Sequence, residues 1–170
     1  MRALDAKYAK KLAKDYKLKI TLRKNFKGYS LFATKPIKKG NVIAYYKFLL
    51  HKYTDNYRGV KKDMYTMSVY TKSGRFNPRL IGDVFEGSIQ PPKKGIPYWG
   101  YFSNEPSEAQ KANAHLDINL KSNYKNRSKL REGDTMTYKI VASKDIKPGE
   151  EIMWCYGDAY IRNYKTSCGQ

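Results

Sequence analysis

The chain is predicted to fold as one mainly β domain that opens with a single helix. Its 170 residues suit one compact domain, and an apolar share of 41% can supply a buried core. Short stretches in which apolar and polar residues alternate recur along the chain, as they do in half-buried strands. Near the N-terminus the apolar spacing is instead that of one helix face.

The helix is predicted over residues 1–17, where Leu4, Tyr8, Leu12 and Tyr16 recur every four residues with lysines between them. This spacing predicts one stripe that packs on the domain while the basic remainder stays in solvent. The same basic face would also suit an anionic surface.

The first strand is predicted at residues 18–22, where Leu18, Ile20 and Leu22 alternate with polar residues. The same kind of pattern predicts further strands at residues 30–34, 42–48, 65–71, 79–85, 115–120, 135–142 and 151–155. Prolines, glycines and lysines between residues 86 and 97 indicate an exposed loop.

One segment of the chain occurs twice, at a separation of 109 residues. Residues 33–43 and 142–152 are identical at six of eleven positions. Each copy predicts a strand, a turn whose glycine takes a positive φ, and a second strand that re-enters the core. Aromatic residues follow both copies, including Tyr46 after the first and Tyr156 after the second.

The charge of the chain is strongly positive, with 34 Lys and Arg against 15 Asp and Glu, or +19. A field of this sign favours encounters with polyanions such as nucleic acid, although it would serve solubility equally well. No apolar run approaches the roughly 18 residues that a membrane span needs, and no secretory signal is evident. We therefore expect a soluble intracellular protein without membrane contact.

Common catalytic and metal-binding patterns are missing from the sequence. Cys155 and Cys168 are its only cysteines, too few for a disulfide framework or a four-thiolate zinc site, and we expect no metal. His51 and His115 stand alone and are interpreted as structural. Phosphate-binding and dinucleotide-binding glycine loops are absent, which argues against phosphoryl and hydride transfer.

Three blocks of the sequence occur in the order and spacing of a known family. The first, within 27–40, reads Lys-Gly-Tyr-Ser-Leu-Phe-Ala and then Ile-Lys-Lys-Gly, similar to Gly-x-Gly-Leu-Phe-Ala and Ile-x-x-Gly. The second, within 101–114, reads Tyr-Phe-Ser-Asn-Glu-Pro and then Ala-Asn-Ala, where the family has Phe-x-Asn-His-Ser-Cys-x-Pro-Asn. The third, within 142–157, is close to Ala-x-x-Asp-Ile-x-x-Gly-Glu-Glu-Leu and Asp-Tyr-Gly. The chain thus resembles the SET-domain protein lysine methyltransferases.

Several positions depart from the family pattern. Ser30 replaces a glycine, Glu105 and Pro106 replace His-Ser, and Cys155 replaces the usual Asp. The cysteine-rich zinc tail of many members is missing, so the resemblance is to a small, minimal member.

The resemblance implies a SET-domain (β-clip) fold of short strands with a C-terminal pseudoknot and an N-terminal helix. It would assign residues 18–160 to the SET domain, 49–98 to a variable insert and 161–170 to a C-terminal tail. In this fold Asn104 would lie beside Tyr156, although 52 positions separate them.

The resemblance also implies the cofactor S-adenosylmethionine, with no metal, and a lysine side chain as methyl acceptor. Tyr156 would place its hydroxyl beside the transferring methyl, and Tyr46, or Tyr45 if the register differs, would line the lysine channel. Tyr160 or Tyr164 would stack on adenine. The implied cofactor-binding residues are Lys27, Gly28, Tyr29, Ser30, Tyr101, Asn104, Glu105 and Tyr156.

The implied substrate is a protein with an exposed lysine, such as a histone tail, a nucleosome or another basic segment, which favours a nuclear or chromatin location. A positive enzyme repels a positive histone tail, so a further attraction is needed. Either chromatin DNA attracts the enzyme, or the groove that binds the substrate is locally acidic through Asp83, Glu86, Glu105 and Glu108. The alternatives are a non-enzymatic nucleic-acid-binding or chromatin-binding module and an inactive SET-like scaffold. Oligomeric state stays open.

Overall fold

The structure, a computed structural model, describes residues 6–54, 66–84, 89–118, 123, 129–157, 160 and 162–169. Within these ranges it has one α-helix and seven strands: α1 (Ala6–Asp15), β1 (Ile20–Asn25), β2 (Gly28–Ala33), β3 (Val42–Lys52), β4 (Thr66–Tyr70), β5 (Phe76–Val84), β6 (Ala114–Asp117) and β7 (Thr135–Ala142). The predicted fold class, mainly β with an N-terminal helix, is confirmed. No helix in the described ranges is long and apolar enough to cross a membrane.

The strands form two antiparallel sheets. β1 and β2 make a hairpin, and the larger sheet has the order β4-β5-β3-β7-β6. β3 lies at its centre because alternate side chains such as Phe48 and Leu50 are fully buried. α1 packs on β1 through Ala9 and Leu12, whereas Tyr8 and Tyr16 are exposed at the edges of that stripe and Leu4 lies outside the described residues.

The two repeated segments pair with each other around an approximate local two-fold axis. Ile37 donates its N–H to the carbonyl of Ile146 (2.9 Å), and Ile146 donates its own to the carbonyl of Ile37 (2.8 Å). A second exchanged pair runs from Gly40 N–H to Ala142 O (2.8 Å) and from Gly149 N–H to Ala33 O (2.7 Å). Gly40 and Gly149 have φ of 87° and 89°, so the predicted positive-φ turns are confirmed.

The prediction of a strand at residues 151–155 is wrong. That segment makes only isolated bridges within the described structure, from Glu151 to Phe32 and from Met153 to Asn104. Because its neighbours lie on opposite sides and in different directions, no continuous ladder forms. This segment instead leads directly to Tyr156 and sets the position of that residue.

Candidate functional site

Residues 151–156 lie between β2 and the segment that follows a 3-10 turn at Gly100–Phe102. On one side Ile152 donates its N–H to Leu31 O (2.8 Å), and on the other Trp154 donates to Asn104 O (3.1 Å). The Asn113 side chain adds two bonds, to Glu151 O (2.8 Å) and from Met153 N–H (2.9 Å). The expected proximity of the asparagine turn and Tyr156 is thereby confirmed.

The phenol of Tyr156 is held in one orientation. Its hydroxyl donates to Ser103 O (3.1 Å), and its backbone N–H donates to the Glu105 carboxylate (2.6 Å). Rings of Trp154 and Tyr160 pack edge-on against it, with centroids 5.0 and 4.8 Å away. Burial, and then the neighbouring phenols and Glu105, raise the pKa of Tyr156 far above its ordinary value. The hydroxyl therefore stays protonated and cannot act as a base at neutral pH.

A cavity of about 510 Å³ opens beside Tyr156. No charged side chain of the described residues lines it, and eight of its sixteen lining residues are aromatic. His51 and His115 are not among them. The lining consists of Tyr46, Tyr53, Thr66, Met67, Ser68, Tyr70, Phe76, Pro78, Leu80, Ile81, Tyr101, Ser103, Leu116, Trp154, Tyr156 and Tyr160.

Tyr46, and not its register alternative Tyr45, lines this cavity. The Tyr46 ring is buried near Tyr101, with centroids 6.4 Å apart. Tyr45 instead packs on Tyr98 (5.4 Å), because successive strand residues point to opposite faces. The 3-10 turn approaches β3 so closely that a Cβ on Gly100 would lie 2.8 Å from Tyr45 O, which explains the glycine. The structure thus brings Tyr46, Tyr101 and Tyr156 together.

Asn104 and Ser30 form the centre of a polar region on the side of β2. The Asn104 Nδ2 donates to Ser30 Oγ (2.6 Å) and to Tyr29 O (3.1 Å), and Ser30 also bonds Asn25 Oδ1 (3.2 Å). Ser30 is buried in β2 and, among described residues, the only non-glycines with positive φ are Lys17 and Lys94. The serine in place of the family's glycine therefore causes no backbone strain.

The ammonium group of Lys27, predicted to contact a cofactor, is bound by the chain itself. It donates to Glu105 O and to Gln110 Oε1, both at 3.0 Å, and forms an ion pair with Glu151 (3.4 Å). Only 13% of its side chain is exposed. Lys27 thus anchors the start of β2 to the two segments that carry Asn104 and Tyr156.

Glu105 is buried, and Arg162 binds both of its carboxylate oxygens at 2.7 and 2.6 Å. Tyr164 donates a further bond to it (2.8 Å), as does the Tyr156 N–H. Burial alone would raise the pKa of Glu105, but the hydrogen bonds from Arg162, Tyr156 and Tyr164 outweigh it and hold that pKa below its ordinary value. Glu105 is therefore ionised at neutral pH.

The C-terminal tail is attached to the site in three ways. Besides the Arg162 ion pair, Thr166 donates its hydroxyl to Pro106 O (2.6 Å), and a disulfide joins Cys155 to Cys168. Neither the disulfide nor the role of Arg162 was predicted from the sequence. Two cysteines carry no pairing signal by themselves, and the partner of Arg162 lies 57 residues away.

The prediction of an acidic groove is wrong for two of its residues. Asp83 and Glu105 are buried, at 1% and 3% exposure, and neither lines the cavity. Glu108 is exposed but is not part of the lining, and Glu86 lies outside the described residues. No cluster of potential metal ligands occurs among the described residues.

Comparisons with known proteins identify the family and the fold of the chain. The SET domain family model matches residues 28–157. A Plasmodium falciparum structure titled a histone methyltransferase has a TM-score of 0.50 at 17% identity, covering 84% of this chain and 96% of its own. The structure of ATXR5 in complex with a histone H3.1 has a TM-score of 0.52 at 16% identity, covering 98% of this chain and 73% of its own. No curated protein is significantly similar in sequence.

Proposed function

The chain belongs to the SET-domain family, and from that premise we propose that it is an S-adenosylmethionine-dependent protein lysine N-methyltransferase. One observation carries the proposal: Tyr156 stands between a polar region and an uncharged aromatic cavity, with its hydroxyl fixed on Ser103 O. A methyl donor with charged groups suits the first region. A neutral amine suits the second.

The residues of the polar region fit the cofactor. The Oδ1 of half-buried Asn104 accepts no hydrogen bond within the described part of the chain, so it can bind an adenine or amino group. Tyr29 and Tyr164 are 40% and 45% exposed and offer aromatic faces for stacking. The charged groups of Lys27 and Glu105 are already paired, so these two residues hold the region together. When bound, the cofactor supplies a methyl group on a positively charged sulfur.

The cavity residues prepare the acceptor amine. A free lysine has a pKa of about 10.4, so at neutral pH it is almost entirely an unreactive ammonium. An uncharged cavity walled by Tyr46 and Tyr156 disfavours the charged form and lowers that pKa, because desolvation costs the ion more than the neutral amine. Tyr156 does not remove the proton, since its own pKa is strongly raised. Its hydroxyl and the Ser103 carbonyl align the amine instead.

The substrate that we propose is a lysine in a histone tail or another basic protein segment, presented on chromatin in a nuclear setting. Two observations support it. The ATXR5 structure was solved with a histone H3.1, and the charge of +19 on this chain favours encounters with DNA-bound proteins.

The test is incubation of the full chain with methyl-labelled S-adenosylmethionine and histones, followed by mass spectrometry of the products. We expect label on lysine only, and loss of label when the same histones carry acetylated lysines. Label on other residues, or no label on free histones, nucleosomes or a lysine-containing peptide array despite cofactor binding, would reject the proposal in favour of a non-catalytic scaffold. DNA binding without cofactor binding would favour a nucleic-acid-binding module.

A further inference from the structure

A second groove of about 370 Å³ lies between the β4–β5 turn and residues 129–130. Four of its nine lining residues are cations, namely Lys72, Arg75, Arg79 and Lys129, and all four are exposed. No acidic side chain of the described residues lines it. We call this site the basic groove.

The four cations of the basic groove carry uncompensated charge. None of them is paired with a carboxylate in the described part of the chain, whereas Lys11, Lys27 and Lys38 all are. The backbone beneath them is ordered by hydrogen bonds. Thr71 donates its N–H to Arg75 O (2.7 Å), and Arg75 donates its own to the Thr71 hydroxyl (3.1 Å). Four positive charges gathered around one concave surface attract an anion more strongly than scattered ones.

The basic groove adjoins the aromatic cavity. Phe76 and Pro78 line both, and the Phe76 ring is 58% exposed. Exposed aromatic rings among cations are typical of nucleic-acid-binding surfaces. A ligand in the groove would therefore lie next to a lysine that enters the cavity.

We propose that the basic groove binds the phosphate backbone of nucleic acid beside the target lysine. The presence of a target lysine rests on the proposed function, but the phosphate contact does not. A basic protein segment in the cavity would be repelled by these four neighbouring cations, which have no carboxylate partner among the described residues, because like charges at close range are unfavourable. Phosphates bound in the groove remove that repulsion, so the preferred substrate is a lysine presented on DNA.

The test measures binding of a fluorescein-labelled 20-base-pair DNA duplex to the full chain at several salt concentrations. The groove variant is Arg75→Gln with Arg79→Gln, and the matched control is Lys7→Gln with Lys10→Gln on the exposed side of α1. Both remove two charges, so a loss caused by net charge alone would be equal. Because each phosphate contact contributes about 0.9 to the slope of log K against log salt, we expect the groove variant to lower that slope by about 1.8 and the control to leave it unchanged.

Equal slopes for the two variants, or a larger loss in the α1 control, would overturn the proposal. A second result would also overturn the proposal: the groove variant binds DNA like the wild type, but its preference for lysine peptides with acidic flanks over those with neutral flanks is reduced. The groove would then be a binding site for acidic peptide. Circular dichroism melting of both variants checks that they fold.

A second arm compares methylation of nucleosomes with methylation of a free tail peptide. We expect the ratio of the two rates to fall by on the order of ten-fold in the groove variant and to stay constant in the control. An unchanged ratio would overturn the placement beside the target lysine. If no substrate is methylated, the proposed function fails while the duplex measurement still decides the phosphate contact.

Discussion

On one side of Tyr156 the chain is held by charged hydrogen bonds, and on the other side it is lined with aromatic rings. The polar region has a buried carboxylate, Glu105, bound by Arg162, Tyr164 and a backbone N–H. The aromatic cavity has no charged lining residue in the described part of the chain. Each region suits one reactant, since a charged cofactor needs oriented partners and a reactive amine needs little solvation.

The two regions should also respond differently to substitution. In the polar region the charged groups of Lys27, Glu105 and Arg162 are paired, so removing one partner leaves another buried charge without compensation. In the aromatic cavity a substitution changes shape or hydration, and the fold tolerates it more easily. Substitutions in the polar region should therefore lower stability more than substitutions in the aromatic cavity.

The largest effect is expected for Arg162→Met, which leaves the ionised Glu105 buried without its partner. The loss should be about 3–5 kcal/mol in the free energy of unfolding, measured by urea denaturation. The pKa of Glu105 is depressed in the folded protein, so its stabilising contribution is present above the unfolded-state pKa and is lost as the pH falls through the folded-state value. The destabilisation should therefore shrink in acid.

The control for this prediction is the double variant Glu105→Gln with Arg162→Met. It removes the uncompensated charge and should recover most of the lost stability. A single variant that costs less than about 1 kcal/mol would show that the ion pair is not what holds the tail.

The next largest effect is expected for Tyr156→Phe, which removes the hydroxyl between the two regions. We expect kcat/KM for peptide methylation to fall about 100-fold, because the amine loses its alignment, with little change in cofactor affinity. Tyr138→Phe is the matched control, since Tyr138 is also buried and also donates to a backbone carbonyl at 3.1 Å. Because the Tyr138 hydroxyl also accepts a hydrogen bond from Tyr70 N–H (3.1 Å), the substitution should cost about 1–3 kcal/mol of stability, and it should leave kcat/KM close to that of the wild type. Similar activity losses in both would contradict a specific role for Tyr156.

The smallest effect concerns pH. Since the pKa of Tyr156 is raised and that of Glu105 is lowered, neither group titrates between pH 6 and 9. We expect log kcat/KM to rise with a slope near 1 over this range as the acceptor lysine loses its proton. A falling limb below pH 9 that disappears in Tyr156→Phe would show instead that the phenol ionises. Because the folded-state pKa of Tyr156 is raised, the contribution of this residue to stability is fully present below its unfolded-state pKa of about 10 and is lost as the pH rises beyond that value.

The sequence predicted most elements of the fold because they depend on local patterns. Alternation located the centres of β3 and β7, and β7 agrees at both ends. Residues 151–155 include the apolar run Ile152-Met153-Trp154 and are buried at 151–154, yet they form only isolated bridges in the described structure, because an apolar run indicates burial and not whether a neighbouring strand continues beside it. In α1 the four-residue apolar spacing correctly predicted a helix, but the buried residues of that helix are Ala9 and Leu12.

The site was predictable only in part. Tyr156, Asn104 and Tyr46 were predicted from their motifs. In the structure Tyr46 and Tyr156 line one cavity, and Asn104 O accepts a hydrogen bond from the backbone of Trp154, two residues before Tyr156. Arg162 was not found, because an ion pair between distant residues leaves no spacing in the sequence. The one available signal was the family departure at Glu105, since a carboxylate buried beside the motif requires a cation.

Calorimetric titration with S-adenosylhomocysteine, the product form of the cofactor, tests the division of the site most directly. Asn104→Ala alters the polar region, and Ser68→Trp fills the aromatic cavity from an exposed position on β4. We predict that Asn104→Ala weakens binding by about ten-fold, whereas Ser68→Trp binds like the wild type but no longer methylates peptide. Loss of binding in Ser68→Trp with normal binding in Asn104→Ala would place the cofactor in the cavity and contradict the assignment of the polar region to the cofactor.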